Sequence, residues 1–88
     1  MFKPDIKILI VDDMKTMRKV IMKSCTDIGF KNYREAEDGN EAWKILVAEP
    51  IDLVICDWNM PNCTGIELLK KVRGDDKFKE LPFMLLTA

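Results

Sequence analysis

The chain has 88 residues, 48% of them hydrophobic and 33% charged, with 14 basic against 15 acidic side chains and a formal net charge of -1. That size suits one small globular domain with a modest core, and that balance supplies no field for gripping nucleic acid or an anionic membrane. With no histidine, triads built on a histidine base and histidine-ligated zinc are excluded.

No stretch reaches the apolar length of a membrane span, and Met1 to Pro4 carry no signal-type pattern, so the expected compartment is the cytoplasm. Cys25, Cys56 and Cys63 are odd in number and lack paired metal-type spacing, which reads as reduced thiols.

In chain order, residues 6–11 (Ile-Lys-Ile-Leu-Ile-Val) form a short apolar run that ends on Asp12 and Asp13. A run this short and β-branched predicts a strand. Met14, Met17, Val20, Ile21, Cys25 and Ile28 then recur at helical spacing over residues 14–28, and Gly29 suits a left-handed stop. Lys15, Arg18, Lys19 and Lys23 occupy the other side of that helix and read as a solvated face. Residues 30–36 are a weaker strand, with Phe30, Tyr33 and Ala36 among polar neighbours, as on a sheet edge.

Glu37-Asp38-Gly39 predicts a turn, and residues 40–48 a helix with Ala42, Trp43, Leu46 and Val47 inward, ended before Pro50. Leu53, Val54, Ile55 and Cys56 predict a strand buried on both faces. It stops at Asp57, because the run from Trp58 to Pro61 cannot continue a central strand. Thr64 with Glu67 three residues later is a capping box; the helix it starts shows Ile66, Leu69 and Val72 to the sheet and ends at Gly74. Residues 77–80 are a polar link, and residues 81–86 a fourth strand followed by Thr87 and Ala88. The order β-α-β-α-β-α-β predicts an α/β fold, a parallel sheet wound on both faces.

These strand assignments put Asp12, Asp13, Asp57 and Thr87 at the carboxyl ends of adjacent strands, where open α/β sheets bind ligands. Three crowded carboxylates repel one another and need a cation or protonation. Mg²⁺ fits, since it takes oxygen ligands and is held by one or two carboxylates beside phosphate oxygens. A carboxylate left free can attack phosphorus and become an acyl phosphate. The metal then neutralises charge on the transferring group, while Thr87 and the amides around Asn59 and Ala88 bind its other oxygens.

Taken singly, each residue has a blander reading. Asp12 or Asp13 could cap the helix that follows, and Asp57 with residues 59–62 could be turn chemistry. It is their joint placement at strand ends that favours a site. A phosphohydrolase of the Asp-x-Asp type is disfavoured because Asn59 stands at the second acid, and a dinucleotide site because residues 12–16 offer no glycine-rich turn.

Four motifs, Ile8-Leu9-Ile10-Val11-Asp12-Asp13, Glu35-Ala36-Glu37-Asp38-Gly39-Asn40-Glu41-Ala42, Asp57-Trp58-Asn59-Met60-Pro61 with Gly65, and Leu85-Leu86-Thr87-Ala88, resemble a response-regulator receiver domain. The likeness is greatest to the chemotaxis members. The resemblance implies a flavodoxin-like doubly wound sheet of order 2-1-3-4-5 and a signalling role rather than that of an enzyme with a separate substrate. It also implies that Asp57 is the phosphoacceptor, supplied by a histidine kinase or a small phosphodonor. Asp13 and Asp57 would bind Mg²⁺ directly, Asp12 through water and Asn59 by its backbone carbonyl, with Thr87 holding a phosphoryl oxygen. For the chemotaxis branch the output partner is the flagellar motor switch.

The family pattern continues through another helix, a fifth strand bearing a lysine and an aromatic switch residue, and a last helix. This sequence stops at Ala88, so the truncated sheet is expected to show impaired phosphorylation and no output switch. Leu81, Phe83, Met84, Leu85 and Leu86 make the fourth strand apolar on both faces, which predicts a two-fold homodimer through the exposed sheet, with or without exchanged elements. The alternative function is a non-signalling folding or oligomerising fragment with a vestigial site.

Overall fold

The computed structural model describes residues 3–58 and 64–86. Within them the chain runs β1 (Lys7–Val11), α1 (Lys15–Ile28), β2 (Asn32–Ala36), α2 (Gly39–Ala48), β3 (Leu53–Asp57), α3 (Gly65–Arg73) and β4 (Phe83–Leu86). The strands form one parallel sheet in the order β2-β1-β3-β4. This is the flavodoxin-like arrangement expected, with β2 at an edge.

The two central strands are buried on both faces, and alternation divides their side chains between two cores. Leu9, Val11, Val54 and Cys56 pack with Ala42, Ile45 and Leu46 of α2 and Leu68 and Val72 of α3. Ile8, Ile10, Leu53 and Ile55 pack with Ile21 and Cys25 of α1. The sheet is thus covered by α2 and α3 on one side and α1 on the other.

Element ends follow their local chemistry. Gly29 takes φ +121° at the end of α1, a region open to glycine because it has no Cβ. Its N–H and that of Phe30 both donate to the Cys25 carbonyl. Phe30 therefore completes the helix end and packs on the α1 core, and β2 starts at Asn32. The capping box forms as expected, with Glu67 N–H donating to Thr64 Oγ1 at 3.2 Å and Thr64 N–H to Glu67 Oε1 at 3.1 Å. Asp38 caps α2 by accepting the Glu41 N–H at 2.8 Å. Pro82 has no N–H to give, yet its carbonyl accepts from Val54 just before β4 begins.

The helix faces differ from expectation. In α1 only Ile21 and Cys25 are buried, whereas Met14, Met17, Val20 and Ile28 are exposed. One helix on that side of the sheet docks a narrow i, i+4 stripe, and the wider apolar arc remains outside it. In α2 the inward set is Ala42, Ile45 and Leu46, with Val47 exposed. In α3 it is Gly65, Leu68 and Val72, with Ile66 and Leu69 half-buried. Both helices are rotated by about one position from the pattern expected. Trp43 is half-buried on the α2–α3 core, edge-on to Phe78 at 5.6 Å between centroids and with Lys71 Nζ 5.0 Å from its ring centre.

Candidate functional site

The parallel register of β1 and β3 sets Val11 against Cys56, so the next residue on each strand, Asp12 and Asp57, emerge side by side at the carboxyl edge. Asp13 follows one residue on. Carboxylate oxygens of Asp12, Asp13 and Asp57, one from each, lie within 4.8 Å of one another. The cluster grades outward: Asp12 is 5% exposed, Asp57 half-buried and Asp13 exposed. Asn59 and Thr87, also expected at the site, fall outside the described residues.

Asp12 is held through three different groups. Its N–H donates to the Ala36 carbonyl at 3.1 Å, its Oδ1 accepts the Met14 N–H at 2.8 Å, and its carbonyl accepts from Arg18 Nη1 at 2.6 Å. The helix-entry reading and the cluster reading of Asp12 therefore coexist. Met14, at the N-cap position, supplies no side-chain hydrogen bond of its own. Burial pushes the Asp12 carboxyl above the ordinary aspartate range, and the neighbouring Asp57 and Asp13 push the same way against the Met14 N–H. A buried carboxyl beside two others disfavours its own charged form.

The end of β3 is closed by α3. Trp58 N–H donates to the Leu86 carbonyl at 2.9 Å, and Gly65 N–H to the Trp58 carbonyl at 3.1 Å. A Cβ on Gly65 would overlap the Asp57 carbonyl and meet Leu85 Cδ2 at 2.7 Å. Only glycine lets the helix start this close to the backbone of Asp57.

Arg18 and Glu35 join the site without having been expected there from the sequence. Arg18 Nε donates to Glu35 Oε1 on β2 at 2.9 Å while its Nη1 grips the Asp12 carbonyl. Lys19 reaches the other Glu35 oxygen at 3.2 Å. Periodicity alone places Arg18 among the solvated lysines of α1. The available signal is its position in the first helical turn after the acids, facing an acid on the neighbouring strand.

A model of the response regulator receiver domain matches residues 8–88. The chain belongs to the receiver-domain family. Among curated relatives, the chemotaxis protein CheY of Pseudomonas aeruginosa is 49% identical over 82 residues, covering 93% of this chain and 66% of that protein. CheY1 of Helicobacter pylori is 45% identical over 83 residues, covering 93% and 67%. The chain thus spans about two thirds of the length of these relatives. Among solved structures, CheY4 of Vibrio cholerae superposes with a TM-score of 0.83 at 33% identity, covering 92% of this chain and 67% of that one. The response regulator TrrA of Thermotoga maritima, in complex with Mg(2+)-BeF, gives 0.86 at 35% identity, covering 94% and 70%.

Receiver domains typically bind Mg²⁺ through an acidic pocket, and the oxygens of Asp12, Asp13 and Asp57 are the hard donors such an ion takes. No helix among the described residues is long and apolar enough to cross a membrane.

Proposed function

We propose that this chain is a phosphoacceptor receiver of a two-component chemotaxis pathway, with Asp57 as the residue modified. The observation that carries this reading is the meeting of three carboxylates from the ends of two adjacent strands. An Asp57 oxygen attacks phosphorus and forms a mixed anhydride, while the bond from phosphorus to the donor breaks and the donor leaves with its electron pair. The donor is a histidine kinase's phosphohistidine or a small acyl phosphate.

Asp13 and Asp57 would hold Mg²⁺ directly, with Asp12 contributing through water and Asn59 by its backbone carbonyl. Thr87 donates to a phosphoryl oxygen. When bound, the ion supplies neutralisation of the charge gathered by carboxylates and phosphoryl group. The Thermotoga neighbour's complex with Mg(2+)-BeF supports Mg²⁺ as the ion. The curated relatives' names support a chemotaxis role, and the family resemblance supports a cytoplasmic setting with, in the whole protein, the flagellar motor switch as output.

Incubation with acetyl phosphate and Mg²⁺, followed by intact-mass measurement, tests the reading. Addition of one phosphoryl group to the wild type and none to Asp57→Asn is expected. No adduct, or the same adduct on Asp57→Asn, refutes it.

A second reading, self-association through β4, has its own support. Among the described strands β4 is an edge, and Met84 on it is 50% exposed. Light scattering should give a dimer mass that falls in Met84→Lys; a monomer at high concentration rejects it.

A further inference from the structure

Arg18 has two partners that a solvated surface cation would lack. Its side chain is only 13% exposed, and its two hydrogen bonds diverge, one to the Asp12 carbonyl just past β1 and one to Glu35 on β2. The Asp12 carbonyl is half of the peptide that joins Asp12 to Asp13. With the Asp12 N–H tied to Ala36 and its Oδ1 tied to Met14, the grip of Arg18 removes the remaining freedom of that peptide plane. The direction in which Asp13 leaves the chain follows from it.

We infer that Arg18, braced by Glu35, is a positioning residue that orients the Asp12–Asp13 peptide and so presents the acid pair to a divalent cation. This rests on the phosphoacceptor reading above. The planar guanidinium suits the task, because its N–H groups diverge in fixed directions and reach a carbonyl and a carboxylate together; an ammonium is a point charge on a flexible stem. Charge is not the means. None of the three clustered carboxylates is in an ion pair with Arg18, whose acidic partner is Glu35. Two predictions of opposite sign follow. If Arg18 acted only as a nearby positive charge, removing it would tighten binding of a cation. If it sets geometry, removing it weakens binding.

The test is Mg²⁺ titration by calorimetry on wild type, Arg18→Lys, Arg18→Gln, Glu35→Gln and Glu35→Ala. It is paired with the metal-free thermal midpoint and the metal-free amide ¹⁵N shift of Asp13, which shares the peptide gripped by Arg18. Affinity should fall about tenfold or more in both Arg18 variants, as for other residues that orient metal ligands, and the Asp13 shift should move before metal is added. Glu35→Gln keeps an oxygen for Arg18 and should stay within about threefold of wild type, whereas Glu35→Ala should approach Arg18→Gln.

Wild-type affinity in the Arg18 variants, tighter binding in Arg18→Gln, or an unmoved Asp13 shift overturns the positioning role while leaving the phosphoacceptor reading intact. A wild type that binds no Mg²⁺ overturns both. Should the Arg18 variants fail to fold, the contrast between Glu35→Gln and Glu35→Ala decides: equal affinities reject the brace.

Discussion

The two edges of the sheet handle charge in opposite ways. At the amino edge, Lys7 Nζ meets Glu49 at 3.1 Å, Arg34 meets the other Glu49 oxygen at 2.8 Å, and the Lys7 N–H donates to Asp52 at 2.9 Å. Both Glu49 and Asp52 face donors there. At the carboxyl edge, Asp12, Asp13 and Asp57 crowd together, and among the described residues no lysine or arginine forms an ion pair with any of them. The nearest guanidinium is spent on a carbonyl and on Glu35. The amino edge balances its charges in ion pairs, whereas the carboxyl edge leaves its three acids unpaired by any described cation and ties only Asp12 down, through the Met14 N–H.

The most forceful way to break the carboxyl edge is Gly65→Ala, which drives a methyl into the Asp57 carbonyl and Leu85. Overpacking of this kind costs about 1–3 kcal/mol, so the denaturant midpoint should fall and Mg²⁺ affinity with it. An unchanged midpoint would mean that α3 does not press on β3 as described.

Asp12→Asn sharpens the comparison, because the amide keeps an oxygen for Met14 while one charge leaves the cluster. The Asp12 carboxyl is raised in the folded chain above its ordinary 3.8. The sign follows from linkage: below that ordinary value both states are protonated and no penalty exists, and the penalty grows as pH rises through the folded value. Near pH 7 the metal-free variant should therefore be more stable than wild type by roughly 0.5–2 kcal/mol. The gain should vanish below about pH 4, the ordinary aspartate value, and reverse in excess Mg²⁺. Chemical denaturation across pH checks this, and a variant less stable than wild type at pH 7 contradicts it.

The smallest effect is expected at the amino edge. Lys7 first, then Arg34, hold Glu49 below its ordinary 4.5. Any stability this pair adds is present above that value and lost as pH falls through the folded one. Glu49 lies at the surface, where ion pairs add little. Glu49→Gln should shift the thermal midpoint only slightly and leave Mg²⁺ affinity unchanged; a change in affinity would show that the two edges are not independent.

Much of this was legible from residue order. Leu9-Ile10-Val11 and Val54-Ile55-Cys56 are uninterrupted apolar runs, too short for a helix and suited to strands buried on both faces, and each ends on acid. The crowding of Asp12, Asp13 and Asp57 follows once those strands are neighbours.

Helix faces were less legible, since Ile45 and Val47 both fall near the apolar arc of α2 and docking against Leu9 and Val11 selects the first. Arg18 was not legible as a brace, because helical periodicity groups it with Lys15, Lys19 and Lys23. Its partners, Glu35 and the Asp12 carbonyl, are brought to it by the sheet.

The most direct test of a shared cation among the three acids is calorimetric titration of Mg²⁺ into wild type, Asp13→Asn and Asp57→Asn. One ion per wild-type chain is expected, with at least a tenfold loss of affinity, about 1.4 kcal/mol, in each variant. Binding undiminished in either variant would contradict it.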